Sequence, residues 1–324
     1  MTHKIIVGDS WNPWSNLALE ELIMDSHQGG VTLYLWQNQN TVVIGRNQNA
    51  WGECRLDVLE RDGGKLARRS SGGGAVFHDL GNLNFTFVAE RELYDVRRQF
   101  SVIQRAIGDF GIDTEFTGRN DLVLKETGEK FSGNAFWMKQ DRALHHGTLL
   151  LDVDLEKMGK YLAPPKAKLE AKGVKSVRAR VCNLKQKAPD MDIQSIKQAL
   201  QKAFCEEYGP AEQITPEAYD AAERKRLEEK YSSWQWRMGR SPKCDVSLAK
   251  RFAWGGVKLL FTLKNGAIEE LTVYSDSMDE AIAEKLTQAL QGARFVQDEL
   301  AGRVARIAGG EYEELSQWLR EAEL

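Results

Sequence analysis

Cysteine is sparse in this chain of 324 residues: there are four, Cys54, Cys182, Cys205 and Cys244, far apart and with no C-x-x-C pair. That pattern excludes a zinc framework or disulfide scaffold and fits a reducing compartment. A charge imbalance is lacking too. The formal net charge is −3 with 28% charged residues, which does not announce a polyanion-binding protein. No stretch reaches the roughly 18 consecutive apolar residues of a membrane span, and residues 1–9 hold no apolar run suited to a secretory leader. Internal repeats, low-complexity tracts, the P-loop and G-x-G-x-x-G are all absent. What is present is ordinary: 42% apolar residues, in a chain longer than the usual domain of ~100–200 residues. The expectation is a soluble cytoplasmic protein of two domains, without membrane partners.

Turn signals and periodicity divide the chain. Residues 4–8 read as a short buried strand. Asn12-Pro13 is a helix start, a capping side chain followed by a residue whose missing N–H costs nothing at the first helical position. That helix is predicted to end at residue 27, before Gly29-Gly30. Residues 31–36 and 41–44 are rich in β-formers and separated by Asn and Gln, which predicts a hairpin. A helix is expected over 53–61. Val96, Phe100, Ile103, Ile107 and Phe110 make an apolar stripe at helical spacing, stopped by Gly111. Strands are expected over 120–152 and helices over 193–207 and 216–230. Gly239, Ser241 and Pro242 break the pattern, so the expected domains are residues 1–243 and 244–324. In the second, residues 251–263 and 267–273 read as strands joined by Asn265-Gly266, a favoured hairpin dipeptide. Helices over 278–290 and 311–323 complete a small α+β unit.

The unusual feature is Arg68-Arg69-Ser70-Ser71-Gly72-Gly73-Gly74-Ala75-Val76-Phe77-His78-Asp79. Three glycines remove bulk and permit positive φ, so backbone N–H groups can converge on an anion. The two arginines offer multi-donor forks for carboxylate or phosphate. Ala75-Val76-Phe77 then supplies an apolar wall, which favours a buried pocket over a flexible surface loop. His78, directly after that wall, is the histidine expected to line the pocket.

This segment, with Gly81-Asn82 after it, resembles the signature of the lipoate–protein ligases. Other blocks agree in order and spacing: Asn12-Pro13-Trp14 with Asn16-Leu17-Ala18, Thr41-Val42-Val43-Ile44-Gly45-Arg46, Gly118-Arg119-Asn120-Asp121, Ser132-Gly133, and His145-His146-Gly147-Thr148-Leu149-Leu150. Lys172-Gly173, Ser176-Val177-Arg178, Arg180-Val181 and Asn183-Leu184 follow, and Trp254-Gly255-Gly256-Val257 carries the likeness into the C-terminal part. One departure is Asn134-Ala135-Phe136, where related enzymes often carry a small residue and tyrosine.

The resemblance implies an α/β (α+β) fold: a large catalytic domain with the mixed-sheet core of biotin and lipoate ligases, class II synthetase-like, and a small α+β C-terminal domain. It implies an ATP-dependent ligase that forms lipoyl-AMP and transfers the lipoyl group to a lysine. ATP, Mg²⁺ and lipoate would be its small molecules. Lipoyl domains of 2-oxoacid dehydrogenase complexes and the glycine cleavage H protein would be its partners, with no nucleic acid. Carried residue by residue, it makes Lys130 catalytic and gives ATP phosphates to Arg69, Gly74, Ala75, Val76, Phe77 and Lys130. Lipoate falls to Arg69, Gly73, Gly74, His78 and Lys130. Lys172, Gly173, Ser176, Val177, Arg178 and Arg180 would form a loop covering the adenylate, and the basic run 166–187 lacks the interleaved aromatics of an RNA surface.

Glu126-Thr127-Gly128-Glu129 reads as a turn, after which strand alternation sets Lys130, Ser132 and Asn134 on one face. A lysine there would neutralise the two anions that adenylation brings together. Asn82 and Asp121 are candidates to orient substrate or Mg²⁺, with Asp121 equally readable as a turn residue. His145 and His146, adjacent in a strand, point to opposite faces and suit packing or hydrogen bonding over a shared metal. Competing readings are a lipoyl or octanoyl transferase using a cysteine thioester, a biotin ligase, and a non-enzymatic binding module. Residues 118–124 hold no cysteine, Cys182 being the one near the expected site. The biotin ligases' arginine-rich loop is absent, and the glycine loop together with Lys130 argues against a degenerate module.

Overall fold

Asn12 caps α1 (Pro13–Ser26) as its sequence predicts, its side chain accepting from the Trp14 N–H at 3.4 Å. The structure, a computed structural model, describes residues 2–117, 120–162, 181–238, 246–264 and 266–322. Its chain sorts into two units. One comprises Met1–Ile44, Ala50–Ser70 and Ala75–Arg237, the other Gly45–Asn49, Ser71–Gly74 and Met238–Leu324. Among the described residues no helix is long and apolar enough to cross a membrane.

The first unit begins with β1 (His3–Val7), α1, β2 (Val31–Trp36) and β3 (Thr41–Ile44). There follow α2 (Ala50–Glu53), α3 (Leu56–Arg61), β4 (Lys65–Arg68), β5 (Val76–His78), β6 (Asn82–Glu90) and α4 (Val96–Gly108). Next come β7 (Thr114–Thr117), β8 (Asp121–Leu124), β9 (Lys130–Met138), β10 (Arg142–Leu150) and α5 (Leu155–Tyr161). Last are α6 (Ile193–Tyr208), β11 (Ala211–Ile214), α7 (Ala221–Ser232) and α8 (Trp234–Met238). Eight strands form one mixed sheet in the order β11-β1-β2-β6-β10-β9-β8-β7, and β4-β3-β5 form a second.

The expected hairpin of residues 31–36 and 41–44 does not exist. Both edges of β2 are taken, by β1 in parallel and β6 antiparallel. The chain therefore leaves the large sheet, and β3 pairs with β4 and β5 instead. The expected helix over 53–61 is likewise two short helices, α2 and α3.

Register across β2, β6, β10, β9 and β8 sorts the large sheet into two faces. Leu33, Leu35, Leu83, Phe85, Phe87 and Leu149 face one way and pack with Phe100, Ile103 and Ile107 of α4 and Ile196, Leu200 and Phe204 of α6. The stripe predicted for α4 is thus its core face. Each such buried side chain contributes roughly 1.5–3 kcal/mol relative to exposure, so this face carries much of the unit's stability. The opposite face is polar at its centre, with Asn82, Asn84, Thr86, His146 and Thr148 all buried. Hydrophobic burial does not account for those residues.

The second unit holds β12 (Val246–Phe252), β13 (Gly255–Lys264) and β14 (Ala267–Ser275) in one antiparallel sheet. With them are α9 (Ile282–Leu290), α10 (Gln297–Val304) and α11 (Gly310–Glu321), around a core that includes Leu259, Phe261, Leu286, Leu300 and Leu315. The single strand expected over 251–263 is broken by a turn at residues 253–254 that separates β12 from β13. Helix α10 was not anticipated, and Asn265 lies outside the described residues.

Candidate active site

Lys130 opens β9, but strand alternation wrongly groups it with Ser132 and Asn134. Opposite Leu122 stands Ser132, whereas opposite Val123 stands Lys130, so β9 carries one extra residue at Phe131. Such a bulge re-aims the side chains around it. Phe131 turns into the core, and Ser132 and Asn134 are also buried, Asn134 reaching the core-side His145. Lys130 emerges on the polar face, its Nζ 3.0 Å from where a side chain on Gly133 would begin. Asp121, paired with Gly133 across the strands, holds that ammonium at 2.7 Å. The expectation that Lys130, Ser132 and Asn134 share a face is corrected by this one insertion.

Arg69 follows β4 and is buried, its N–H bonded to Ile44 O and Nη1 to Val43 O at 3.3 Å. Burial lowers its pKa to about 10, against the pull of Glu20, so it stays cationic at neutral pH. Arg68 does something else: Nε and Nη2 donate to the carbonyls of Trp236 and Arg237 near the end of α8. Of the two arginines, Arg69 is the one beside the polar face. His78 ends β5 and packs edge-on to Trp36, ring centroids 6.3 Å apart. Its pKa is driven down to about 3 by burial, then by Arg69 and His146, so it is neutral. Phe77, on the other side of β5, packs on Tyr161, while Val76 packs with the core beneath α1.

Glu20 projects from α1 onto the same face. Its Oε1 accepts from Thr86 Oγ1 at 2.6 Å and lies 2.8 Å from His146 Nδ1. Trp36 Nε1 donates to Thr86 Oγ1 at 3.0 Å. Asn82 Nδ2 donates to Asn84 Oδ1 at 2.9 Å. Yet Asn82 Oδ1, Asn84 Nδ2 and His78 Nε2 are buried with no hydrogen-bond partner among the described residues. Three such atoms around one polar surface are costly, roughly 1–3 kcal/mol each, and mark a place built for a polar ligand.

The glycine triplet sorts with the second unit. Gly73 has φ +86°, as the loop reading requires, but its N–H donates to Ser277 O at 2.9 Å. Asp79 is a turn organiser: Oδ1 accepts from Gly81 N and Oδ2 from Asp154 N, each at 2.8 Å. Gly81 is required where it stands, since a side chain there would strike the backbone of Asp152. Gly118, Arg119 and the expected covering residues Lys172, Gly173, Ser176, Val177, Arg178 and Arg180 lie outside the described residues.

Two chemistries can be weighed on this geometry. Cys182 adjoins Lys130, its N–H donating to Lys130 O at 3.0 Å, but its thiol sits in the core. Burial, aided by Glu129, raises its pKa to about 11, so it is no thiolate nucleophile at neutral pH. Among the described residues no three His, Cys, Asp or Glu side chains cluster as a metal site. Asp121, already paired with Lys130, fits Mg²⁺ only as a single carboxylate ligand beside nucleotide phosphates, where the ion would screen their charge.

Sequence reasoning missed Glu20, Trp36, Asn84 and Thr86. A signal existed for two of them: Asn84 repeats Asn82 at strand period 2, and Glu20 interrupts a helix that is otherwise apolar from Leu17 to Ile23 except for its neighbour Glu21. His145 and His146 do face opposite ways, His145 among Phe85, Phe87, Phe100 and Phe136.

Known proteins resemble this chain in sequence and in fold. Residues 12–205 match the lipoyl protein ligase A/B catalytic domain, and residues 241–319 match the bacterial lipoate protein ligase C-terminus. The fold is similar to that of P. falciparum LipL1 in complex with lipoate, at TM-score 0.88 and 26% identity over 99% of this chain and all of that one. The bipartite lipoate protein ligase of Thermoplasma acidophilum, described with its E2 lipoyl domain, is similar at TM-score 0.66 and 30% identity, covering 76% of this chain and 100% of that one. A lipoate-protein ligase A bound with ATP gives TM-score 0.63 and 28% identity over 74% of this chain and 99% of that one. With its matched catalytic domain spanning residues 12–205, more than half of its length, this chain belongs to the lipoyl protein ligase A/B catalytic-domain family.

Proposed function

We propose that this protein is an ATP-dependent lipoate–protein ligase of the cytoplasm. It activates lipoate as lipoyl-AMP and passes the lipoyl group to a lysine on lipoyl domains, those of 2-oxoacid dehydrogenase complexes and the glycine cleavage H protein. The observation that carries this reading is the pairing of two cations of different kinds with one polar sheet face. Lys130 is mobile-ended and a third exposed, whereas Arg69 is buried and fixed. Bringing a carboxylate onto the α-phosphate of ATP sets two anions together, and preorganised positive charge lowers that barrier more than any other single device. Arg69 holds the anion, and Lys130 moves with the charge as it passes to the leaving pyrophosphate. Trp36 lies along the same face and offers an apolar surface to the acyl tail, its N–H held by Thr86.

Lipoate in the LipL1 complex and ATP in the ligase A complex are the two small molecules this scheme needs. The cysteine-transferase reading has a buried, high-pKa thiol against it. Transfer needs an acceptor amine and no enzyme thiol. The decisive assay is lipoate-dependent ATP–pyrophosphate exchange. Exchange with lipoate or octanoate supports the ligase; none with lipoate, octanoate or biotin rejects it.

A further inference from the structure

The hydrogen bonds behind His78 have a fixed direction. Asn16 Nδ2 lies 3.0 Å from Ser10 O, 2.7 Å from Gln37 O and 2.9 Å from Asn38 Oδ1. Two of these are backbone carbonyls, which only accept, so this atom is the amide nitrogen and not the oxygen. The Tyr34 hydroxyl donates to its partner atom, Asn16 Oδ1, at 3.3 Å. Asn38 must therefore turn its oxygen to Asn16 and its NH₂ to His78, 3.1 Å from Nδ1. An N–H aimed at Nδ1 requires a lone pair there, and a neutral imidazole then carries its proton on Nε2.

Asn16, Asn38 and His78 are all buried, so water does not scramble this order. The far nitrogen, Nε2, is buried and has no partner among the described residues. A histidine kept for packing alone would have both nitrogens satisfied. Arg69 presses its positive charge on the same ring, so the acceptor that suits this N–H is an oxygen of an anion.

We propose that Asn16 and Asn38 are positioning residues that hold His78 in its Nε2–H tautomer, so that His78 donates a hydrogen bond to an anionic oxygen of the bound ligand. Resting on the ligase reading for the ligand's identity, this gives a role to the Asn16-Leu17-Ala18 block and to Asn38. Carboxylate and phosphate oxygens share the chemistry, and binding experiments separate them.

Two arms test it on the full-length protein. In the first, ¹⁵N-labelled histidine is followed by NMR, with the His78 signals assigned by their loss in His78→Gln. A protonated Nε2 and bare Nδ1 are expected in the wild type, and the opposite tautomer overturns the proposal whatever the protein's activity. The second arm uses shape: a glutamine amide nitrogen falls near the Nε2 position and an asparagine amide nitrogen near Nδ1. Affinities for lipoate alone and ATP alone are measured by calorimetry. For whichever ligand supplies the anion, His78→Gln should bind within about threefold of wild type, whereas His78→Asn and Asn38→Leu lose roughly tenfold. Asn38→Leu should cost nothing further in the His78→Gln background. Equal affinities for the Gln and Asn variants overturn the proposal. Wild-type protein that binds neither lipoate nor ATP defeats the ligase reading instead, and the NMR arm still decides the tautomer.

Discussion

Gly133 sits under the Lys130 side chain, and replacing it by alanine should separate activity from stability. A Cβ there would lie 3.0 Å from Nζ and 3.1 Å from Cε. Relaxed contacts between such atoms are about 3.5–4.0 Å, so the ammonium must retreat by roughly 0.5–1 Å. That retreat stretches the 2.7 Å pair with Asp121 and carries the charge off its line of action. Displacements near 1 Å at reacting groups cost about 100-fold, so lipoate-dependent exchange should fall by ~10–100-fold. The fold should not suffer: the atoms displaced are the end of a flexible side chain, and Gly→Ala in extended backbone stiffens the unfolded chain, a gain of roughly 0.4–1 kcal/mol. The assay is pyrophosphate exchange beside a urea melt of the same preparation. Exchange within twofold of wild type would refute the reasoning, as would a loss of more than about 2 kcal/mol, since the wedge would then act through the backbone.

Lys130→Ala should lower exchange by at least ~100-fold while stability changes by less than about 1 kcal/mol, since its ion pair is partly solvated; a melt shifted as far as the activity would remove it from the chemistry. The double variant with Gly133→Ala should be no worse than Lys130→Ala alone, and additive losses would show that the two act separately. Cys182→Ala should retain exchange and lipoyl transfer, and their loss in a folded variant would revive the thioester route. His78 and His145 both have pKa values lowered to about 3 from the ordinary 6.5, chiefly by burial. The unfolded chain therefore binds more protons below pH 6.5, so stability present above that pH is lost as pH falls toward 3. The slope approaches about 1.4 kcal/mol per pH unit for each imidazole. Urea midpoints measured from pH 7 to pH 5 should fall, and fall less in His145→Leu after its own offset; parallel curves would count against the buried imidazole as the cause.

Much of this was legible beforehand because the signals were local. The α4 stripe, the Asn12 cap and the Gly128 turn each follow from a few neighbouring residues. The arginine–glycine segment drew attention by composition to Arg69, which the fold sets beside the polar face. What escaped was set by partners distant in sequence. Residues 41–44 looked like the return of a hairpin, and nothing local says that β1 and β6 already fill both edges of β2. Arg68 and Arg69 look interchangeable until the carbonyls of Trp236 and Arg237 claim the first. Lys130 was grouped with Ser132 and Asn134 since a bulge has no strong residue signature, and period-2 reasoning fails by one full face for each residue inserted. Glu20 and Asn38 were hidden because a buried polar side chain declares itself only through its partners.

The extra residue at Phe131 makes the orientation of Lys130 a matter of parity. Regular pairing with Phe131 kept would set Lys130, three residues before Gly133, on the opposite face and in the aromatic core, whereas deleting Phe131 would leave Lys130 opposite Val123 on the polar face. In a lineage, a one-residue deletion at Phe131 could therefore straighten the strand and take an aromatic side chain from the core while the lysine kept its face. When a related sequence is compared, the spacing from the lysine to Gly133 says whether a bulge is needed to present it: three residues require one, and two do not.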